Sequence, residues 1–202
     1  MTSKLNSILS IITFFILGLG VAFIGVNETE ASGLNLSLGK QNSHTTVNFV
    51  SDWFCPACIK MEAQIEKIYP SVSKNVKVRF VDYPIHKETI AFTPYNLSFL
   101  VHEKAKYMEL RKALSALTRR TLKPTDSDVQ NAIAPLGVKL RPLDYFEVLE
   151  GMQSDLQIYK GFGVKATPSV VINNSKSKKV KILVGKQISL GSINDAIGEV
   201  AR

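Results

Sequence analysis

The chain has 202 residues and a formal net charge of +8, with 45% apolar and 21% charged residues. That composition excludes a disordered chain, and the length suffices to bury a core without disulfide staples. Lysines and arginines are spread along the sequence with no aromatic-interleaved tract. The densest run, Lys176-Ser177-Lys178-Lys179, falls in a turn. The charge therefore reads as a solvated surface, and no nucleic-acid partner is expected.

Residues 5–26 carry no charge and follow Lys4, the pattern of an export segment. The apolar run from Ile8 to Val26 is longer than the core of a cleaved signal and long enough to span a bilayer. We read residues 1–31 as a signal anchor, with a signal peptide cleaved before Ser32 as the alternative. Basic charge on the short side places the N-terminus inside and residues 32–202 outside. Either way the body lies in the periplasm or on the outer face of the cytoplasmic membrane, where disulfides persist.

After a polar linker from Glu28 to about Asn42, residues 45–53 read as a strand around Val47, Phe49 and Val50. Cys55-Pro56-Ala57-Cys58 follows directly. Ile59, Met61, Ile65, Ile68 and Tyr69 then recur at helical spacing, with Pro56 suited to the first turn and Pro70 marking the end. Residues 76–81 alternate as a second strand closed by Asp82-Tyr83-Pro84. From about 86 to 159 the sequence reads as helices over 95–121, 126–136 and 143–159, broken by Pro124, Pro135 to Gly137, and Pro142. A strand over 168–173, a polar turn, a strand over 180–184 and a helix over 192–200 complete the chain. The order predicts an α/β sandwich split by a helical subdomain inserted at about 86–159.

The only two cysteines have two residues between them, at a strand-to-helix junction. There the first thiol meets the unpaired N–H groups and positive dipole end of the helix, which favour a thiolate. The second, one turn on, can close an intramolecular disulfide. Such a pair exchanges disulfides: one thiolate captures a partner sulfur and the other resolves the mixed disulfide. Cys55 is expected to be the exposed catalytic sulfur and Cys58 the buried resolving one. Two thiols cannot build a four-thiolate zinc site, and His44, His86 and His102 are scattered, so no metal or other cofactor is expected. Each histidine reads as a surface or packing residue.

Trp53-Phe54-Cys55-Pro56-Ala57-Cys58 resembles the active site of thioredoxin-fold proteins, in particular the DsbA type. The segment from Gly161 to Ser169, containing Thr167-Pro168, resembles the family's cis-proline segment. The resemblance covers about residues 43–202. It implies a thioredoxin fold, a cis Pro168 facing the cysteines, and a Thr167 backbone open to an extended substrate chain. It also implies exported proteins with thiols or disulfides as substrates and a membrane redox partner. Three positions depart from the pattern. Ala57 replaces the histidine of the DsbA dipeptide, so a less extreme thiol acidity is expected. Phe49 occupies the place of a buried relay acid, with Asp52 nearby. Thr167 is closer to isomerase-type relatives. The leading function is a disulfide-forming oxidase. The alternatives are an envelope reductase or isomerase, for example in cytochrome maturation, and a non-catalytic chaperone or binding module.

Overall fold

The computed structural model describes residues 33–202. The apolar segment 5–26, and with it the choice between anchor and signal peptide, lies outside the described residues. No helix among the described residues is long and apolar enough to cross a membrane.

Strands β1 (Leu38–Gly39), β2 (Thr45–Ser51), β3 (Lys77–Asp82), β4 (Ser169–Asn174) and β5 (Val180–Val184) form one sheet in the order β1–β3–β2–β4–β5. β2 and β3 run parallel, and the other three pairings are antiparallel. The parallel pair requires a crossover, supplied by helix α1 (Pro56–Ser73). Because side chains alternate along a strand, Val47, Phe49, Val78, Phe80, Val170 and Ile172 enter one apolar cluster while Val50, Val81 and Val171 enter another. α1 adds Ile65, Ile68 and Val72 to the first cluster. Phe49 and Phe80, in register on β2 and β3, stack with centroids 5.2 Å apart at its centre.

Between β3 and β4 lie α2 (Thr93–His102), α3 (Tyr107–Leu117), α4 (Asp126–Ile133) and α5 (Tyr145–Gly161), with short 3₁₀ turns before α2, between α2 and α3, and after α4. Leu97, Leu110, Leu114, Val129 and Ile133 extend the first cluster into these helices. α5 covers the other face with Ile158 and Tyr159. The last helix, α6 (Leu190–Ala201), inserts Ile193, Ala196 and Val200 into the first cluster.

Four details differ from the sequence reading, each for a physical reason. The supposed linker contains β1, whose Gly39 sits at φ +73° with Val76 O only 2.6 Å from where a Cβ would be. Pro70 does not stop α1: the helix continues to Ser73, since doing so buries Val72. The helix expected over 95–121 is broken at Glu103, which leaves helical geometry at φ −133°, ψ 40°. The helix expected from 143 begins at Tyr145, because Asp144 and Glu147 form a reciprocal capping box.

Candidate active site

Residues 52–55 carry the chain from the end of β2 into α1, and a set of hydrogen bonds holds that turn. Asp52 is 1% exposed although it is charged and lies in a loop. Its carboxylate accepts the Phe54 N–H at 2.8 Å and the His86 N–H at 2.7 Å, and lies 3.0 Å from His86 Nδ1. Its carbonyl accepts the Cys55 N–H at 3.2 Å. One side chain therefore ties the turn before Cys55 to the segment that follows β3. A buried carboxylate needs such donors, and here backbone groups supply two of them.

Trp53 is fixed next to it. Its indole Nε1 donates to Asp82 Oδ2 at 3.0 Å, and its ring lies against Phe92 and under the Arg111 guanidinium, 4.6 Å from the centroid. Arg111, on α3, is 2% exposed. It donates to both carboxylate oxygens of Glu62 on α1, at 2.6 and 3.0 Å, and also lies over the Phe80 ring. Phe54 meets Phe92 edge-on, with centroids 5.3 Å apart.

Cys55 is the N-cap of α1, in extended geometry, and Pro56 begins the helix. Its side chain thus stands at the positive end of an 18-residue helix dipole. Partial burial alone would push the Cys55 thiol up. The Thr167 hydroxyl, the Cys58 N–H and side chain, and the Ala57 N–H outweigh that effect, and the thiol ends below the ordinary cysteine value. These are hydrogen-bond donors without formal charge, as expected where Ala57 stands between the cysteines. Cys58, one turn on, is 2% exposed. Burial pushes its thiol up to about 11, against the Thr167 hydroxyl, the Asp52 N–H and the Ser51 hydroxyl, and negative charge on Cys55 adds to the rise. Both sulfurs are free thiols.

Opposite them runs the segment entering β4. The Thr167–Pro168 peptide bond is cis. The Cys55 thiol donates to the Thr167 carbonyl at 3.6 Å. Gly185 N–H donates to the Pro168 carbonyl at 3.0 Å, and Ser169 Oγ donates to the Ala166 carbonyl at 2.7 Å, so the segment is anchored on both sides. Cys55, Cys58, Thr167 and Pro168, which the sequence reading grouped, lie together.

That reading did not find the partners of the site. His86 was read as a surface or packing residue, and Asp82 only as the close of a strand. The one available signal is position: Asp52 directly precedes the Trp-Phe-Cys run, and Asp82 pairs in register with Ser51 across β2 and β3. The place of the expected relay acid is filled by Phe49, stacked on Phe80.

A family model described as Thioredoxin matches residues 32–183. No curated protein matches the sequence. Among solved structures, the chain is similar to a periplasmic thioredoxin-like protein from Salmonella enterica serovar Typhimurium, with a TM-score of 0.60 and 19% identity over 82% of this chain and 90% of that one. BdbD from Bacillus subtilis gives a TM-score of 0.60 and 19% identity over 81% and 90%. DsbA2 from Pseudomonas aeruginosa gives 0.58 and 16% over 81% and 92%. At such identities the likeness shows a shared fold.

Proposed function

Since the chain belongs to the thioredoxin family, we propose that it is a protein thiol–disulfide oxidoreductase acting outside the cytoplasm, with Cys55 as the exchanging sulfur and Cys58 as the resolving one. What carries the reading is the contrast between the two thiols. Cys55 stands partly exposed at the open end of a helix with its acidity enhanced, and Cys58 sits buried behind it with its acidity suppressed. A lowered pKa makes that sulfur the better leaving group and raises its thiolate fraction.

The direction we assign is oxidation. A substrate thiolate attacks Cys55 Sγ of the Cys55–Cys58 disulfide; the S–S bond breaks, and Cys58 leaves as a thiolate and takes up a proton. A second substrate thiolate attacks its own sulfur in the mixed disulfide and expels Cys55 as a thiolate. Two electrons have then passed to the protein, and a membrane redox partner must remove them. Stabilising the Cys55 thiolate stabilises the reduced form, which makes the disulfide more oxidising. Thr167 and Pro168 form the surface on which an extended substrate backbone lies beside Cys55.

The uncharged stretch 5–26 behind Lys4 supports export, with residues 32–202 as the catalytic body held at the outer face of the membrane. The likeness to a periplasmic thioredoxin-like protein supports the same location. Equilibration with glutathione buffers tests the direction. A potential near or above about −150 mV is expected for an oxidase, while one near thioredoxin's, roughly −270 mV, would favour the reductase or isomerase reading that Thr167 suggests. Cys55→Ser should abolish turnover. A binding module would keep its activity.

A further inference from the structure

A cavity of about 40 Å³ lies between the end of β3 and α5, lined by Asp82, Pro84, Thr93, Met152, Asp155 and Tyr159. Two of its walls are carboxylates of buried residues, Asp82 at 3% and Asp155 at 2% exposure. The two are joined directly, since the Asp82 N–H donates to Asp155 Oδ2 at 3.0 Å. Asp155 Oδ1 pairs with Arg79 Nη2 at 3.0 Å. Asp82 accepts from Asn96 Nδ2 at 3.1 Å on one oxygen and from Trp53 Nε1 on the other. This cluster plays no part in the exchange chemistry above.

Charge decides its state. Three carboxylates meet in this interior, Asp82, Asp155 and Glu62, against two guanidiniums, Arg79 and Arg111. Arg111 is bonded to Glu62 and Arg79 to Asp155, so Asp82 feels the Arg111 charge across the cluster but makes no ion pair of its own. A net buried charge is costly, and one proton on the aspartate pair removes it. The other titratable groups facing the pair are Tyr107 on α3 and Tyr159 on α5, and burial pushes both phenols above their ordinary range. Neither exchanges a proton near neutral pH. Burial likewise raises both acids, so the pair titrates above the ordinary aspartate range. The cavity exceeds the roughly 10–15 Å³ that a water needs, so a water fits against the pair.

We propose that Asp82 and Asp155 hold one proton between them, and that Asp82, through the Trp53 indole, is a positioning residue that couples this proton to the reactivity of Cys55. When the proton leaves, the added negative charge tightens the bond from Trp53 Nε1 and stands behind the turn that presents Cys55, disfavouring its thiolate. The coupling rests on the proposed role of Cys55, but it can be measured apart from disulfide exchange.

Trp53 is the only tryptophan of the chain, so it reports on the pair directly. In a Cys55→Ala/Cys58→Ala background, its fluorescence should show one inflection between about pH 5 and 8, the window in which histidines also titrate. Asp155→Asn should remove that inflection, and His86→Asn, which changes the histidine nearest the turn, should leave it. With both cysteines present, the rate of Cys55 alkylation by iodoacetamide should show a second step at the same pH. Its size should be up to about tenfold, what one unit of thiol acidity gives, and Asp155→Asn should lack it while keeping a native circular dichroism spectrum. A flat fluorescence titration in the unsubstituted aspartate background needs no further variant to overturn the proposal. So does an inflection that His86→Asn abolishes, or an alkylation profile with one step only. A chain that shows both steps yet fails to exchange disulfides would overturn the proposed function and leave this inference standing.

Discussion

Thr167→Val is a nearly isosteric change that separates two roles of one hydroxyl. Thr167 Oγ1 is buried and makes no aligned hydrogen bond in the dithiol form, yet it lies where it lowers the pKa of both sulfurs. In the folded dithiol the hydroxyl is therefore a desolvated polar group without compensation, and replacing it with a methyl should stabilise the reduced protein by about 1 kcal/mol. In the thiolate form the same hydroxyl is a donor to a charged sulfur. Such bonds are worth about 1.5–3 kcal/mol, and the partial exposure of Cys55 puts this one at or below the low end. The Cys55 pKa should accordingly rise by about one unit, which corresponds to about 1.4 kcal/mol. Thiolate absorbance at 240 nm against pH reads the acidity, and urea unfolding of the reduced protein reads the stability. The two changes must have opposite consequences: a more stable dithiol and a less acidic thiol. A folded Thr167→Val protein with unchanged Cys55 acidity would refute the assignment of this hydroxyl to the thiolate.

Arg111→Ala should cost about 3–5 kcal/mol in urea unfolding, since it strands the Glu62 carboxylate, whereas Arg111→Met with Glu62→Leu should recover most of the loss; equal losses in both would show that packing on Trp53 and Phe80, not charge, dominates. Asp52→Ala removes the acceptor of two backbone N–H groups and should destabilise by about 2–4 kcal/mol, while His86→Ala, whose side chain is 42% exposed, should cost less than about 1 kcal/mol, both by chemical denaturation. Gly39→Ala should cost more than about 1–2 kcal/mol, because the position needs positive φ and offers a Cβ no room beside Val76 O; a neutral result would mean β1 is dispensable. Asp82 and Asp155 have folded pKa values above the unfolded aspartate value, so the folded state binds more protons through that interval. The contribution of the pair's shared proton to stability is fully present below the unfolded aspartate value, about pH 4, and is lost as pH rises through the raised folded value of the pair, about 6 to 7. Unfolding free energies compared between pH 5 and pH 8 should fall over that range, and Asp155→Asn should flatten the fall.

The parts of the fold that were legible in the sequence are those governed by local pattern. Alternation placed β3, runs of β-prone apolar residues placed β2 and β4, and the cysteine pair at a strand-to-helix junction pointed to where chemistry would occur. Two residues of β1 carry no periodicity, and only the pairing of Leu38 with Val78 makes them a strand. Pro70 was legible as a breaker by its local cost, and burial of Val72 overrides that cost. The break at Glu103 has no proline or glycine to announce it. Around the site, the contacts missed are all tertiary. Asp52 meets His86 across 34 residues and Trp53 meets Asp82 across 29, and no spacing rule links them. The sequence put the expected acid at position 49, where it has phenylalanine, with Asp52 nearby. Asp52 is buried in the turn before Cys55, and two further buried acids lie at the end of β3 and on α5.

That relocation bears on how the exchange cycle would run. The centre of the sheet beneath the cysteines is the dry Phe49–Phe80 stack, which can neither hold nor pass a proton. The groups that oppose the rise of the Cys58 thiol are the Thr167 and Ser51 hydroxyls and the Asp52 N–H, none of which is a base at neutral pH. Burial thus holds the proton on Cys58, and under the proposed function that proton must be lost before Cys58 can attack a mixed disulfide. In substrate entry to a Cys55–Cys58 disulfide, Cys58 would be the leaving group, and its raised pKa makes it a slow one that must also be reprotonated. The surroundings of Cys58 therefore slow both directions of exchange, and the oxidative direction proposed above rests on the stabilised Cys55 thiolate alone.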